Sequence, residues 1–159
     1  MTKVTNAGVA RDVWQMLVGY FFAQRELQMR VVQELGLTPG HMKTLFELDA
    51  EEGRSMGELA SSLVCDASNA TWLVDRLEER GLVERRARPH DRRVKTVVLT
   101  PDGVKTKHLL IERLSAAPDD LVALDRADLD RLHDALALLP PSPPFWESVA
   151  CPPNPPDRS

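Results

Sequence analysis

"RRARPHDRRVKTVVLTPDG", residues 85–103, decides how this chain folds. The whole protein has a formal net charge of -4, yet seven of its twenty Lys and Arg residues lie between Arg80 and Lys95, opposed there only by Glu84 and Asp91. That window carries +5 and the remainder of the chain -9. Two β-prone runs, "LVERR" (82–86) and "VKTVVLT" (94–100), flank "ARPHDR", where Pro89 and the turn-forming residues exclude a helix. The pattern predicts a β-hairpin with a charged tip. Alternation sets Val94, Thr96 and Val98 on one face of the second strand, with Lys95, Val97 and Leu99 on the other. A tip carrying Arg88, Arg92 and Arg93 is unsuited to a core and well placed to reach phosphates or a minor groove, with Arg86 and Lys95 along the strands beside it. Asp91 would repel a polyanion, so its expected role is internal, pairing with an arginine to hold the tip in shape. A merely solvated hairpin is the weaker alternative, because so many neighbouring cations repel one another without a partner.

The residues before this hairpin read as helices. Residues 9–34 predict one long helix whose apolar set, Val13, Trp14, Leu17, Val18, Tyr20, Phe21 and Phe22, covers more than one stripe. A helix that is apolar on most sides is buried on most sides, and in a chain this small the second face predicts another subunit. Gly36 is a stop signal, and Thr38-Pro39 supplies the cap and first-turn proline of a second helix with Met42, Leu45, Phe46 and Leu48 inward. Ser55-x-x-Glu58 is a capping box ahead of Leu59, Ala60 and Leu63. Asp66 caps the next helix, where Ala70, Leu73, Val74 and Leu77 follow helical spacing and Gly81 marks the end. Two short helices with so tight a turn predict a helix-turn-helix. The opposite face of its second helix offers Ser68, Asn69, Thr71, Trp72, Asp75 and Arg76, polar groups gathered near the end that enters a major groove. A plain solvated face is the alternative for that pattern taken alone.

Beyond the hairpin, Thr100-Pro101-Asp102 starts a helix with Val104, His108, Ile111 and Leu114 along one side, ended by Pro118. Asp125 caps a last helix with a Leu124–Leu129 staple and the stripe Leu129, Leu132, Leu136, Leu139. From Pro140 onward eight of twenty residues are proline, which predicts an extended or flexible tail.

At 159 residues, 43% apolar and 28% charged, the chain predicts one soluble globular domain with appendages. Its longest apolar run, Met16–Ala23, falls far short of the roughly 20 residues of a membrane span. The two cysteines, Cys65 and Cys151, build no disulfide framework, and no metal-ligand spacing is present, so a reduced, cytoplasmic protein without cofactor or metal is expected. No phosphate loop or nucleophile motif points to an enzyme. His108 and Glu112, one turn apart, would supply only half a metal site.

The run from Ser55 to Gly103 resembles the MarR family of winged helix-turn-helix transcriptional regulators. "LVDRLEERGLVERR" is similar to the end of that family's recognition helix and its first wing strand. "DRRVKTVVLTPDG" matches the wing tip, apolar strand and Leu-Thr-x-x-Gly helix start, and "GLTPGHMKTLFEL" is a weaker match to the second helix. The resemblance implies a mainly α fold with a small β wing: a winged-helix domain over 1–139, with a DNA-binding lobe at 36–100 and dimerisation helices at 9–35 and 101–139, then a Pro-rich flexible tail at 140–159. It implies a homodimer on double-stranded DNA at a palindromic operator, usually as a repressor. DNA contacts would fall to Ser68, Asn69, Thr71, Trp72, Arg76, Arg86, Arg88, Arg92, Arg93 and Lys95, with Asp91 structuring the wing. Trp72 departs from the smaller or basic residues common at its position. Family members often hold a small aromatic or lipophilic acid as effector, for which Trp14, Phe21, Arg25, His41 and Met42 are the candidates here. Two other readings stay open: a winged helix used for protein–protein interaction, and a thiol-sensing regulator using Cys65.

Overall fold

Helix starts in this chain are set by short capping side chains. Thr38, Ser55, Asp66, Thr100 and Asp125 each accept a hydrogen bond from the backbone N–H three residues on, satisfying one of the donors that a helix N-terminus leaves open. The computed structural model describes residues 6–88 and 91–141, without the side chains of Arg88 and of residues 91–94. In chain order it contains α1 (Asn6–Ala23), α2 (Arg25–Glu34), α3 (Pro39–Glu47), β1 (Arg54–Ser55), α4 (Met56–Leu63), α5 (Ala67–Glu79), β2 (Val83–Arg88), β3 (Asp91–Leu99), α6 (Pro101–Leu114), α7 (Asp119–Val122) and α8 (Arg126–Ala137). The expected tail lies, beyond Pro141, outside the described residues.

Several expectations change. The single helix expected over 9–34 is two helices meeting at Gln24. Backbone bonds from Gln24 to Tyr20 (3.2 Å) and from Gln28 to Gln24 (3.1 Å) run across the break, so the ladder is carried through it. Pro118 does not end α6, which stops at Leu114; the proline instead precedes the short turn α7. β1 was invisible to periodicity because it is two residues long.

The three strands form an antiparallel sheet in the order β1-β3-β2. Val83 faces Leu99 and Ala87 faces Lys95, and the register shifts between Ala87 and Arg88; on the other side Arg54 faces Val97. Both faces of β3 are covered at its base, where Thr96, Val97, Val98 and Leu99 are all buried. That stretch packs against α4 and α6 as well as its two strand neighbours, so the hairpin base belongs to the core.

The core joins α2, α3, α4, α5, α6 and the sheet through Val32, Leu45, Leu48, Leu59, Val74, Leu77, Val83, Val97 and Leu110. On α6 the buried face is centred on Gly103 and Leu110, and His108 points to solvent. Lys107 lies on that inner side: its ammonium donates to the carbonyls of Phe46 (3.1 Å) and Leu48 (2.8 Å), closing the C-terminus of α3. Burial lowers its pKa, opposed by Asp49 and Glu47. The buried Glu47 carboxylate pairs with Arg54 at 2.8 Å, tying α3 to the sheet edge. By contrast, α1 and α8 contain no buried residue. No helix among the described residues is long and apolar enough to cross a membrane.

The Leu-Thr-x-x-Gly motif has a packing cause. The Thr100 N–H donates to Leu82 O (3.1 Å), and its hydroxyl donates to Gly81 O (2.6 Å) while accepting from the Gly103 N–H (3.0 Å). A Cβ on Gly103 would lie 1.9 Å from Leu82 O, a backbone atom that cannot rotate away. Gly103→Ala is therefore expected to lower unfolding free energy by about 3 kcal/mol or more, measured by urea titration. A loss under about 0.5 kcal/mol would show that α6 can shift freely at this point.

Candidate nucleic-acid interface

α5 turns Ala70, Leu73, Val74 and Leu77 inward. Ser68, Asn69, Thr71, Trp72 and Arg76 are all exposed, as a recognition helix requires. The Asp66 side chain uses the Asn69 N–H at 2.8 Å, which leaves the Asn69 amide group on the outer surface. The Thr71 hydroxyl donates to Ala67 O (2.8 Å), and Arg76 pairs with Glu79 (2.7 Å). Trp72 folds back onto His41 of α3, the two rings stacked with centroids 5.7 Å apart and planes within 18°.

The turn into α5 carries an unexpected feature. Val64 adopts φ +53°, a left-handed conformation that a β-branched side chain rarely takes, and it is 80% exposed. Cys65, the next residue, is a free, half-buried thiol.

The charge cluster is organised differently from its expectation. Arg80 donates to the carbonyls of Gly36 (2.6 Å) and Leu35 (2.8 Å), capping α2. Arg85 bridges Asp75 (2.6 Å) and Glu78, and Arg86 pairs with Glu84. Mutual repulsion among the seven cations is thus relieved in part inside the chain, which weakens it as evidence for an external partner. Counting charge along a window missed this because Asp75 and Glu78 come from the neighbouring helix. Lys95 is exposed with no ion-pair partner among the described residues. The side chains of Arg88, Asp91, Arg92 and Arg93 lie outside the described residues, so the wing tip and the pairing expected for Asp91 do too.

The five effector candidates do not converge. Phe21 lines a groove of about 200 Å³ between α1, α2 and the end of α6, with Tyr20, Leu27, Val31, Arg113 and Leu114. The Arg25 guanidinium sits over the Phe22 ring at 5.5 Å, Trp14 is exposed, and Met42 packs against the core. His41 is buried and serves as a cap: its Nδ1 accepts from the Thr38 N–H and its own N–H donates to the Thr38 hydroxyl, both at 3.3 Å. The capping role was legible in the Thr-x-x-His spacing, whereas Arg113 in the groove was not, because α6 meets α2 only in three dimensions. Among the described residues no group of His, Cys, Asp and Glu is placed to hold a metal, so His108 and Glu112 gain no further ligands there.

Burial, and then the charge of Arg80, push the pKa of His41 below its ordinary 6.5. The unfolded chain takes up this proton below about pH 6.5 and the folded chain resists it, so stability is full above that pH and falls as pH drops through it. Wild type is expected to lose more thermal stability than His41→Gln between about pH 7.5 and about pH 5.5. Parallel losses would remove His41 as the acid-sensitive group.

Residues 37–95 match the MarR family model. Among curated proteins, the uncharacterized HTH-type transcriptional regulator YcgE of Bacillus subtilis is 37% identical over 91 residues, 56% of this chain and 58% of that one. The transcriptional repressor MprA of Escherichia coli is 32% identical over 80 residues, 49% of this chain and 46% of that one. The chain spans about half the length of the curated relatives it matches. Among solved structures, transcriptional regulator Tm0710 from Thermotoga maritima superimposes with a TM-score of 0.68 at 26% identity, covering 80% of this chain and 90% of that one. Residues 37–95 are thus similar to the MarR family module, and the fold is similar to that of the solved transcriptional regulator Tm0710.

Proposed function

We propose that the protein is a sequence-specific, DNA-binding transcriptional repressor acting as a homodimer on a palindromic operator in the cytoplasm. The observation that carries this reading is the outer face of α5, where Ser68, Asn69, Thr71 and Arg76 are exposed beside the base of a basic hairpin. Amides, hydroxyls and guanidinium groups read base edges in a major groove. In this reading Lys95, Arg88, Arg92 and Arg93 contact phosphates or the adjacent minor groove, and Asp91 shapes the tip. The related repressor supports the direction of regulation.

The dimer rests on α1 and α8. On α1, Val13, Trp14, Met16, Phe21 and Phe22 are exposed, and on α8 and its end so are Leu132, Leu136, Leu138 and Leu139. So much apolar surface on two terminal helices is what a subunit interface covers. A two-fold pair would address half-sites about 34–36 Å apart. The groove containing Phe21 and Arg113 suits a small aromatic or lipophilic acid, whose carboxylate Arg113 would receive in place of Glu34, now 3.2 Å away.

Affinity for a duplex spanning the protein's own upstream region is expected to fall steeply with salt through counterion release. Arg93→Ala should weaken binding to all duplexes and reduce the salt slope by about one, while Arg76→Ala should cost about tenfold at one base pair. Salt-independent binding of a protein partner, with no duplex bound, would favour the interaction-module reading instead. Replacing Leu132 and Leu136 by Asp should give a monomer in sedimentation experiments and abolish tight operator binding. A wild type that is monomeric at micromolar concentration would overturn the dimer. Aromatic acids should release the operator from wild type but not from Arg113→Ala.

A further inference from the structure

We propose that His41 is a positioning residue for DNA reading: its imidazole backs the Trp72 indole in one pose and so sets the base pair which that indole recognises. This deepens the DNA-binding reading above and rests on it. Trp72 lies on the outer side of α5, opposite Ala70, Val74 and Leu77, and is 48% exposed. An indole on a helix surface ordinarily samples several rotamers. Here its plane is laid on a ring that is itself immobile, since His41 is only 6% exposed and is held by the reciprocal Thr38 cap. The approach of the two helices is set one residue earlier. A Cβ on Gly40 would lie 2.8 Å from Leu73 Cδ2, so glycine at that position lets α3 come close enough to α5 for the rings to meet.

The identity of residue 41 is the telling point. A capping box needs only an acceptor at this position, and Glu or Gln ordinarily provides it. Histidine does so at a cost. With Nδ1 accepting from Thr38, the neutral ring carries its proton on Nε2, and that atom is buried with no hydrogen-bond partner among the described residues. A Gln side chain would provide the acceptor without a ring nitrogen locked in that position. What the imidazole adds, and Gln lacks, is a flat face for the indole. A pre-ordered aromatic surface at the groove suits an apolar group on a base edge, and in the major groove that group is the thymine methyl. Because the indole is already ordered, little rotamer freedom is lost on binding.

Two substitutions separate the ring from the cap. His41→Gln keeps the acceptor for Thr38 and removes the ring; His41→Phe keeps a ring and removes the acceptor. Duplexes selected by the wild type from a randomised pool serve as probes, each then altered one base pair at a time. Wild type is expected to prefer a T·A pair at one position by about tenfold. Trp72→Ala and His41→Gln should both lose that preference, His41→Phe should keep it despite lower stability, and the double variant His41→Gln/Trp72→Ala should match Trp72→Ala. With Trp14 and Trp146 replaced by Phe, Trp72 is the remaining indole of the three, and His41→Gln should shift its emission to the red and lower its anisotropy without DNA. Full base preference in His41→Gln, or losses that add in the double variant, would overturn the positioning role while leaving DNA binding intact. A wild type that enriches no duplex overturns the DNA reading, and this role with it.

Discussion

The fold turns on one contact: the Thr100 side chain and backbone gripping Gly81 and Leu82, with Gly103 pressed against the Leu82 carbonyl. Three directions of the chain meet there. The recognition helix has just ended, the first wing strand is about to begin, and the return strand is passing into α6. A single hydroxyl that donates to one backbone group and accepts from another fixes the exit of α5 relative to the entry of α6. Only a residue without a Cβ lets that helix start lie so close. The angle between α5 and the base of the β2–β3 hairpin is therefore a property of backbone packing.

Around that junction the charges divide by use. Arg80, Arg85 and Arg86 are spent on carbonyls and carboxylates of the same chain, with Arg85 joining β2 to α5 through Asp75 and Glu78. Lys107, Glu47 and Arg54 do the same at the far side of the lobe, linking α6, α3 and β1. The pairs of Arg85 and of Arg54 with Glu47 are partly desolvated, which favours their persistence over that of exposed pairs such as Arg86–Glu84. What stays open outward is a smaller set, Arg76 on the helix face and Lys95 on the strand among the described residues, and Arg76 is already lightly paired with Glu79. In the proposed reading affinity and specificity are separable, with phosphate contact assigned to the wing and base reading to α5, where Trp72 is the one large apolar side chain exposed.

The two ends of the chain behave differently from the lobe. α2 and α6 pack into it, whereas α1 and α8 have no fully buried residue. The groove of Phe21 and Arg113 lies where these two regimes meet. A ligand there would touch α1, α2 and the end of α6, and through Lys107 on α6 the carbonyls that end α3. That continuity gives a proposed effector a physical route to the reading surface, carried by packed elements with few soft joints.

Element type and order were legible because they are local. Caps at Thr38, Ser55, Asp66, Thr100 and Asp125, and left-handed glycines at 36 and 81, act within four residues of the chain and announce themselves in it. The excess of apolar residues on the first helix was equally plain. Long-range partnerships were not. The acids that neutralise Arg85, the β1 edge that covers β3, the inward turn of Lys107 and the stacking of Trp72 on His41 each join residues from different elements, so no spacing in the sequence encodes them. Local capping determined where most of the helices begin; only the close packing of the elements decided which charges face outward and which side chains stand together at the candidate interface.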